Sequence, residues 1–235
     1  MELSEIQTHL EGIPYLRPDY GQRLYQFVLD TKPEECLELG FAHGVSSCYI
    51  AAALDELGRG HLTTVDLDKS RKLKPTIEGL LDATRLGRYV SVVREMSSYT
   101  WFLKGKIEEQ TSEGICVPLY DFCFVDGSKN WTVEACAFFC TDKLLKSGGW
   151  ILYDDFSWKY ANAIRRGKKV SDGVLLRSMD EDQLTTPNIE LVFRLLVMQH
   201  PSYGAFRIEE GKFAYARKLP WRTSETPAGN GQRDG

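Results

Sequence analysis

The chain has 235 residues, 43% hydrophobic and 26% charged, a globular composition that excludes collagenous, low-complexity and wholly disordered classes. With 29 Lys and Arg against 33 Asp and Glu, its formal charge of −4 lacks the basic excess of a nucleic-acid binder. No apolar run approaches a membrane span of roughly 18 residues, and the start Met1-Glu2-Leu3-Ser4-Glu5 is acidic where a secretory signal is positive, so no membrane partner and a cytoplasmic location are expected.

From the N-terminus, Gly12–Pro18 carries two prolines that bar a helix, and a helix is predicted over Asp19–Leu29. Residues 1–32 thus form an arm and helix, either a lid over a crevice or an arm packed on the domain through Tyr15 and Leu16. Five β-rich runs follow, Cys36–Leu39, His61–Leu67, Val90–Arg94, Tyr120–Val125 and Trp150–Tyr153, alternating with helical segments that include Ser46–Leu57 and Trp131–Leu145. Asn130 reads as the cap of the latter helix and Ser147-Gly148-Gly149 as its stop. This order predicts an α/β, doubly wound, mostly parallel sheet. Polar residues gather where the runs finish, and the carboxyl ends of parallel strands form the ligand crevice of such sheets.

The six cysteines, at 36, 48, 116, 123, 136 and 140, lack the density of a disulfide scaffold, so reduced thiols are expected. Cys136 and Cys140 share a helix face; a buried stripe with Ala137, Phe139 and Leu144 is preferred there over a metal grip. After the fifth run, residues 156–187 form a polar, charged insertion, and Asn188–His200 resumes a helical pattern. The hairpin Tyr203–Ile208 and Phe213–Arg217, joined across Glu209-Glu210-Gly211-Lys212, implies an antiparallel last strand and seven strands in all. Residues 1–222 are therefore expected to form one domain, and Thr223–Gly235, small, polar and Pro/Gly-containing, a disordered tail.

Between the first run and its helix lies Glu38-Leu39-Gly40-Phe41-Ala42-His43-Gly44-Val45-Ser46, where glycines let backbone approach a ligand. The Gly-x-x-x-Gly spacing, with Ala at 42, departs from the Gly-x-Gly-x-x-Gly that seats a pyrophosphate, which favours a nucleoside without phosphate. Asp66, ending the second run, is the acid expected to accept hydrogen bonds from vicinal ribose hydroxyls. Glu38-Leu39-Gly40-x-x-x-Gly44 with Asp66 resembles the S-adenosylmethionine (SAM) site of class I methyltransferases, over roughly residues 33–155. The resemblance implies their Rossmann-like fold with its reversed last strand, SAM as the cofactor, Ser46 near the methionine carboxylate, Ser97 near the adenosine, and His43 lining the loop through its backbone.

The fourth run ends in Asp126-Gly127-Ser128-Lys129 and the fifth in Asp154-Asp155. Neighbouring strands lie about 4.8 Å apart, so carboxylates at adjacent tips repel unless something positive intervenes. A divalent cation, Mg²⁺ by its preference for oxygen ligands, is the expected solution, held by Asp126, Asp154 and Asp155; the bland alternative is one capping and one solvated aspartate. Lys129 is the expected base, pushed toward its neutral form beside a metal in a partly dry crevice. Asp126-x-x-Lys129 resembles the cation-dependent O-methyltransferases of the catechol and caffeoyl-coenzyme A group, whereas the Asp154-Asp155 pair is similar to the sugar O-methyltransferases of antibiotic pathways.

The expected activity is thus methyl transfer to a hydroxyl of a small phenolic or sugar-containing acceptor. The insertion, with Trp158, Tyr160, Arg165, Arg166, Lys168 and Lys169, either selects that acceptor or makes a homo-oligomer contact. A metal-independent methyltransferase and a catalytically idle SAM-binding scaffold are the alternatives. A nicotinamide dehydrogenase is disfavoured by the missing middle glycine.

Overall fold

The computed structural model describes residues 2–167 and 179–220. The tail from Thr223 and the insertion's Lys168 and Lys169 lie outside the described residues. Apolar and β-branched runs pair into strands at Glu35–Leu39 (β1), His61–Leu67 (β2), Val90–Glu95 (β3), Thr111–Ser112 (β4), Ile115–Cys116 (β5), Tyr120–Val125 (β6), Leu145–Tyr153 (β7), Tyr203–Glu209 (β8) and Phe213–Lys218 (β9). Strands β4 and β5 make a small separate ribbon, and the others form one seven-stranded sheet ordered β3-β2-β1-β6-β7-β9-β8. The first five in that order are parallel, while β9 runs against both of its neighbours, β7 and β8. This is the Rossmann-like, doubly wound arrangement with a reversed last strand.

The helices are Leu3–Leu10 (α1), Pro18–Thr31 (α2), Val45–Leu57 (α3), Ile77–Thr84 (α4), Tyr99–Glu109 (α5), Trp131–Leu144 (α6), Tyr160–Arg165 (α7), Glu181–Thr185 (α8) and Asn188–Leu191 (α9), the last continuing as a π-turn over Val192–Val197. Side chains alternate across each strand, so the sheet has two apolar faces, each under its own helical layer. Cys36, Leu62, Phe122, Phe124, Leu152 and Phe213 pack with residues of α1 to α4. Leu37, Leu39, Val65, Cys123, Val125, Ile151 and Tyr153 pack with residues of α5, α6 and α9 on the other face.

Three expectations change. Ser147-Gly148-Gly149 does not stop α6: the helix yields at Leu145 directly to β7, and the glycines sit in an irregularity of that strand, Gly148 at φ +86°. The buried face of α6 is Glu134, Ala137, Phe138, Thr141 and Leu144, leaving Cys136 and Phe139 exposed, because neighbouring elements cover only that stripe. The helix expected over Asn188–His200 breaks into α9 and a π-turn. All six cysteines are free. Among the described residues, no helix is long and apolar enough to cross a membrane.

Candidate active site

Register assembles the site. Val65, Leu39, Val125 and Tyr153 occupy one row across β2, β1, β6 and β7, so Asp66, Gly40, Asp126 and Asp154 emerge together one residue further on. Backbone bonds extend the pairing past that row: Gly40 N donates to Val65 O (2.7 Å), Asp126 N to Leu39 O (2.8 Å) and Asp154 N to Val125 O (3.0 Å). Gly40 has no alternative residue here. It adopts φ +95°, and a Cβ would stand 2.3 Å from Gly127 Cα.

The loop after β1 is held from below. Asp66 Oδ2 accepts from the amides of Phe41 (3.0 Å) and Ala42 (2.6 Å), and Oδ1 from Leu67 N (2.6 Å). A carboxylate offers about four acceptor directions, so three amides leave one for the ribose contact expected of it. Glu38 faces α3 because it shares the sheet face of Cys36, and it is fully buried. Ser47 Oγ and Thr64 Oγ1 donate to it, the latter at 2.5 Å. Burial pushes its pKa up to about 7, against the surrounding hydroxyls of Ser46, Ser47 and Thr64.

Gly44 immediately precedes α3 at φ +94° and offers no side-chain cap to the helix's first amides. Ser46 is buried in that first turn. His43 donates Nδ1–H to Pro75 O (2.8 Å), and its ring lies against Tyr15, with centroids 5.7 Å apart. A side chain so engaged contributes to the loop's shape. Leu16 is buried and Tyr15 exposed, so the N-terminal arm packs beside the loop. Ser97 is exposed in the bend after β3.

On the other side of Gly40, one ligand oxygen from each of Asp126, Asp154 and Asp155 lies within 4.8 Å of the others. Two ammonium groups stand among them. Lys129 Nζ is 2.9 Å from Asp126 Oδ1 and 3.4 Å from Asp155 Oδ2. Lys212 Nζ is 2.7 Å from Asp154 Oδ2 and 2.7 Å from Asp155 Oδ1. Asp155 adopts φ +54°, a left-handed conformation that a non-glycine residue enters at a cost, and its amide donates to Asp154 Oδ1 (2.7 Å).

These charges set one another. Burial, then the charges of Asp126 and Asp155, push the Asp154 carboxyl well up. Burial also opposes ionisation of Asp155, but Lys129 and Lys212 outweigh it and hold this carboxyl below its usual range. For Lys129, burial favours neutrality, yet among these side chains alone the charges of Asp126, Asp155 and Asp154 overcome it and keep the ammonium charged; the neutral form is the one expected beside a metal. Lys212 is held charged in the same way.

The sequence reading missed Lys212 and a buried pair behind the site. The Tyr99 hydroxyl donates to Glu134 of α6 and accepts from Ser128 N (3.0 Å), fixing the Asp126–Lys129 turn from beneath. Nothing local marks Tyr99. Lys212 was legible in principle: β9 runs against β7 with Ala214 opposite Tyr153, so a residue just before β9 must lie at the aspartate tips. A cleft of about 270 Å³ opens beside them, lined by Asp155, Ser157, Trp158, Asn162, Arg166 and Lys212 among others. Tyr160, one of the insertion residues expected either to meet an acceptor or to make an oligomer contact, is buried within the chain, edge-on to Trp158.

Residues 37–156 match the family model described as a methyltransferase domain. No curated protein matches the sequence. Solved structures share the architecture at low identity. A Bacillus cereus O-methyltransferase in complex with S-adenosylhomocysteine is 18% identical, with 93% of this chain and 92% of that one covered, at a TM-score of 0.62. The O-methyltransferase TomG of Streptomyces achromogenes, involved in tomaymycin synthesis and bound to SAM, is 15% identical over 93% and 89%, at 0.61. The Podospora anserina methyltransferase PaMTH1, bound to S-adenosylhomocysteine, is 15% identical over 93% and 87%, at 0.64. At these identities the likeness is one of fold.

Proposed function

The chain belongs to the methyltransferase-domain family as a class I SAM-dependent methyltransferase, and on that premise we propose that it methylates a hydroxyl of a small molecule with the help of a divalent cation. One observation carries this reading: three carboxylates converge beside the SAM loop, their ligand oxygens within 4.8 Å of one another. Opposed oxygens around Mg²⁺ lie about 4.2 Å apart, so the donor set fits such an ion after small side-chain adjustments. Asp126, Asp154 and Asp155 would hold it. When bound, the ion would offset most of the charge of these carboxylates, weaken the attraction that keeps Lys129 protonated, and acidify an acceptor hydroxyl beside it.

The chain's own residues supply the remaining functions. The uncapped amides at the start of α3 suit the methionine carboxylate, and the spare acceptor direction of Asp66 suits a ribose hydroxyl. Gly40 and Gly44 shape the loop, with Glu38, His43 and Ser46 supporting it from within, and Ser97 is the adenosine-side candidate. Lys129, once its ammonium has released a proton to solvent, is the group to take the acceptor's proton, and Tyr99 and Glu134 keep its turn in place. Asp155, Trp158, Asn162 and Arg166 line the cleft that would receive the acceptor. Trp158 favours a ring or sugar face, and Arg166 an anionic substituent.

Asp154→Ala is expected to lower turnover at least about a hundredfold while changing SAM affinity less than about threefold, because cofactor loop and carboxylates use different strands. Turnover with a panel of phenols and glycosides, and calorimetry with SAM, check this. Full activity in chelator would overturn the cation's role. It would favour a second reading, metal-independent transfer, which draws support from Lys129 and Lys212 already contacting all three aspartates.

A further inference from the structure

Lys212 lies on the β8–β9 turn, far in sequence from the aspartates, and its side chain is only 16% exposed. Its Nζ touches an oxygen of both Asp154 and Asp155, two of the three residues on which the cation reading rests. Building on that reading, we propose that Lys212 is a tethered cation that competes with the divalent ion for Asp154 and Asp155, and so sets how tightly the site takes metal.

Geometry makes the two occupants exclusive. An ion bound to the same two carboxylates would stand within a few ångströms of the ammonium, and like charges so close in a partly buried site repel strongly. The lysine's backbone is fixed: Phe156 N donates to Lys212 O (3.0 Å), Ser157 N to Gly211 O (2.8 Å), and β9 begins at the next residue. Only the flexible four-carbon stem can yield. It has somewhere to go, because Lys212 also lines the cleft beside Ser157, Trp158 and Asn162. Lys129 also touches two of the ligands, Asp126 at 2.9 Å and Asp155 at 3.4 Å, but it stands on the Asp126 turn itself, whereas Lys212 makes the 2.7 Å contacts to both Asp154 and Asp155. Metal uptake is then an exchange, in which the ion enters as the Lys212 ammonium swings into the cleft.

The test is Mn²⁺ binding to the full chain, read by calorimetry and by water-proton relaxation. Lys212→Met, which keeps length and removes charge, is expected to tighten Mn²⁺ binding at least about tenfold, with Lys212→Arg staying within about threefold of the wild type. Because Lys212→Met leaves three carboxylates with one lysine and is at risk of not folding, a second measurement uses the wild type. In ¹³C-lysine-labelled protein, the Lys212 ε-carbon signal, assigned by its loss in Lys212→Arg, should move to the position of exposed lysines as Mg²⁺ saturates the site. Equal Mn²⁺ affinity in wild type and Lys212→Met, or a Lys212 signal unmoved at Mg²⁺ saturation, overturns the competition and leaves the cation reading standing. Absence of Mn²⁺ binding in both proteins at millimolar concentration overturns both.

Discussion

Glu38 holds its pKa of about 7 in a place with no exposed surface, under hydroxyls from α3 and β2. The folded protein therefore binds a proton there that the unfolded chain releases between pH 4.5 and about 7. Stability from this group is full below the lower value and declines as pH rises to the upper one, by about 3 kcal/mol in total. Glu38→Gln should abolish that part of the slope: between pH 5 and pH 8 the variant is expected to lose about 2–3 kcal/mol less than the wild type in urea unfolding. Equal losses would show that Glu38 ionises freely in the fold. Glu38 and Asp66 were both legible as acids at strand ends, but their partners were not. Asp66 spends two acceptor directions on the loop amides of Phe41 and Ala42, because the loop folds back over β2, and a third on the neighbouring Leu67 amide, which no residue spacing announces.

At the level of elements, the tips of β1 and β6 are pressed together by two glycines. A Cβ on Gly127 would meet Tyr99 Cε1 at 2.3 Å, and one on Gly40 would meet the backbone of Gly127 at 2.3 Å while also being strained at φ +95°. A ring can shift; paired backbone cannot. Gly127→Ala is expected to cost about 2 kcal/mol and Gly40→Ala about 4 kcal/mol, in that order, by chemical denaturation. The reverse order would mean the β1–β6 tips separate more easily than the Tyr99 ring moves. Gly40 stood out from its spacing to Gly44, but its reason is contact with β6, not ligand approach alone. The α6 stripe was misjudged for a related cause: residues of similar hydrophobicity lie all around that helix, and only its neighbours decide that Phe138 is buried and Phe139 exposed.

Across the whole molecule, both apolar faces are built on the same strands, since β1, β6, β7 and β9 each send alternate side chains to opposite cores. Neither core can form without the sheet that carries the other. We expect one cooperative unfolding transition, with the tryptophan fluorescence of the protein superposing on far-ultraviolet circular dichroism in urea. Two resolved transitions would divide the domain. The strand runs, their alternation with helices and the carboxylates at their ends followed from the amino-acid sequence, because side-chain alternation, turn glycines and strand-end acids act through residues close along the chain. Which positive charge meets those carboxylates was decided in three dimensions. Lys212 reaches Asp154 across 58 positions because β9 inserts antiparallel between β7 and β8, and strand order arises from packing the whole sheet rather than from any local pattern.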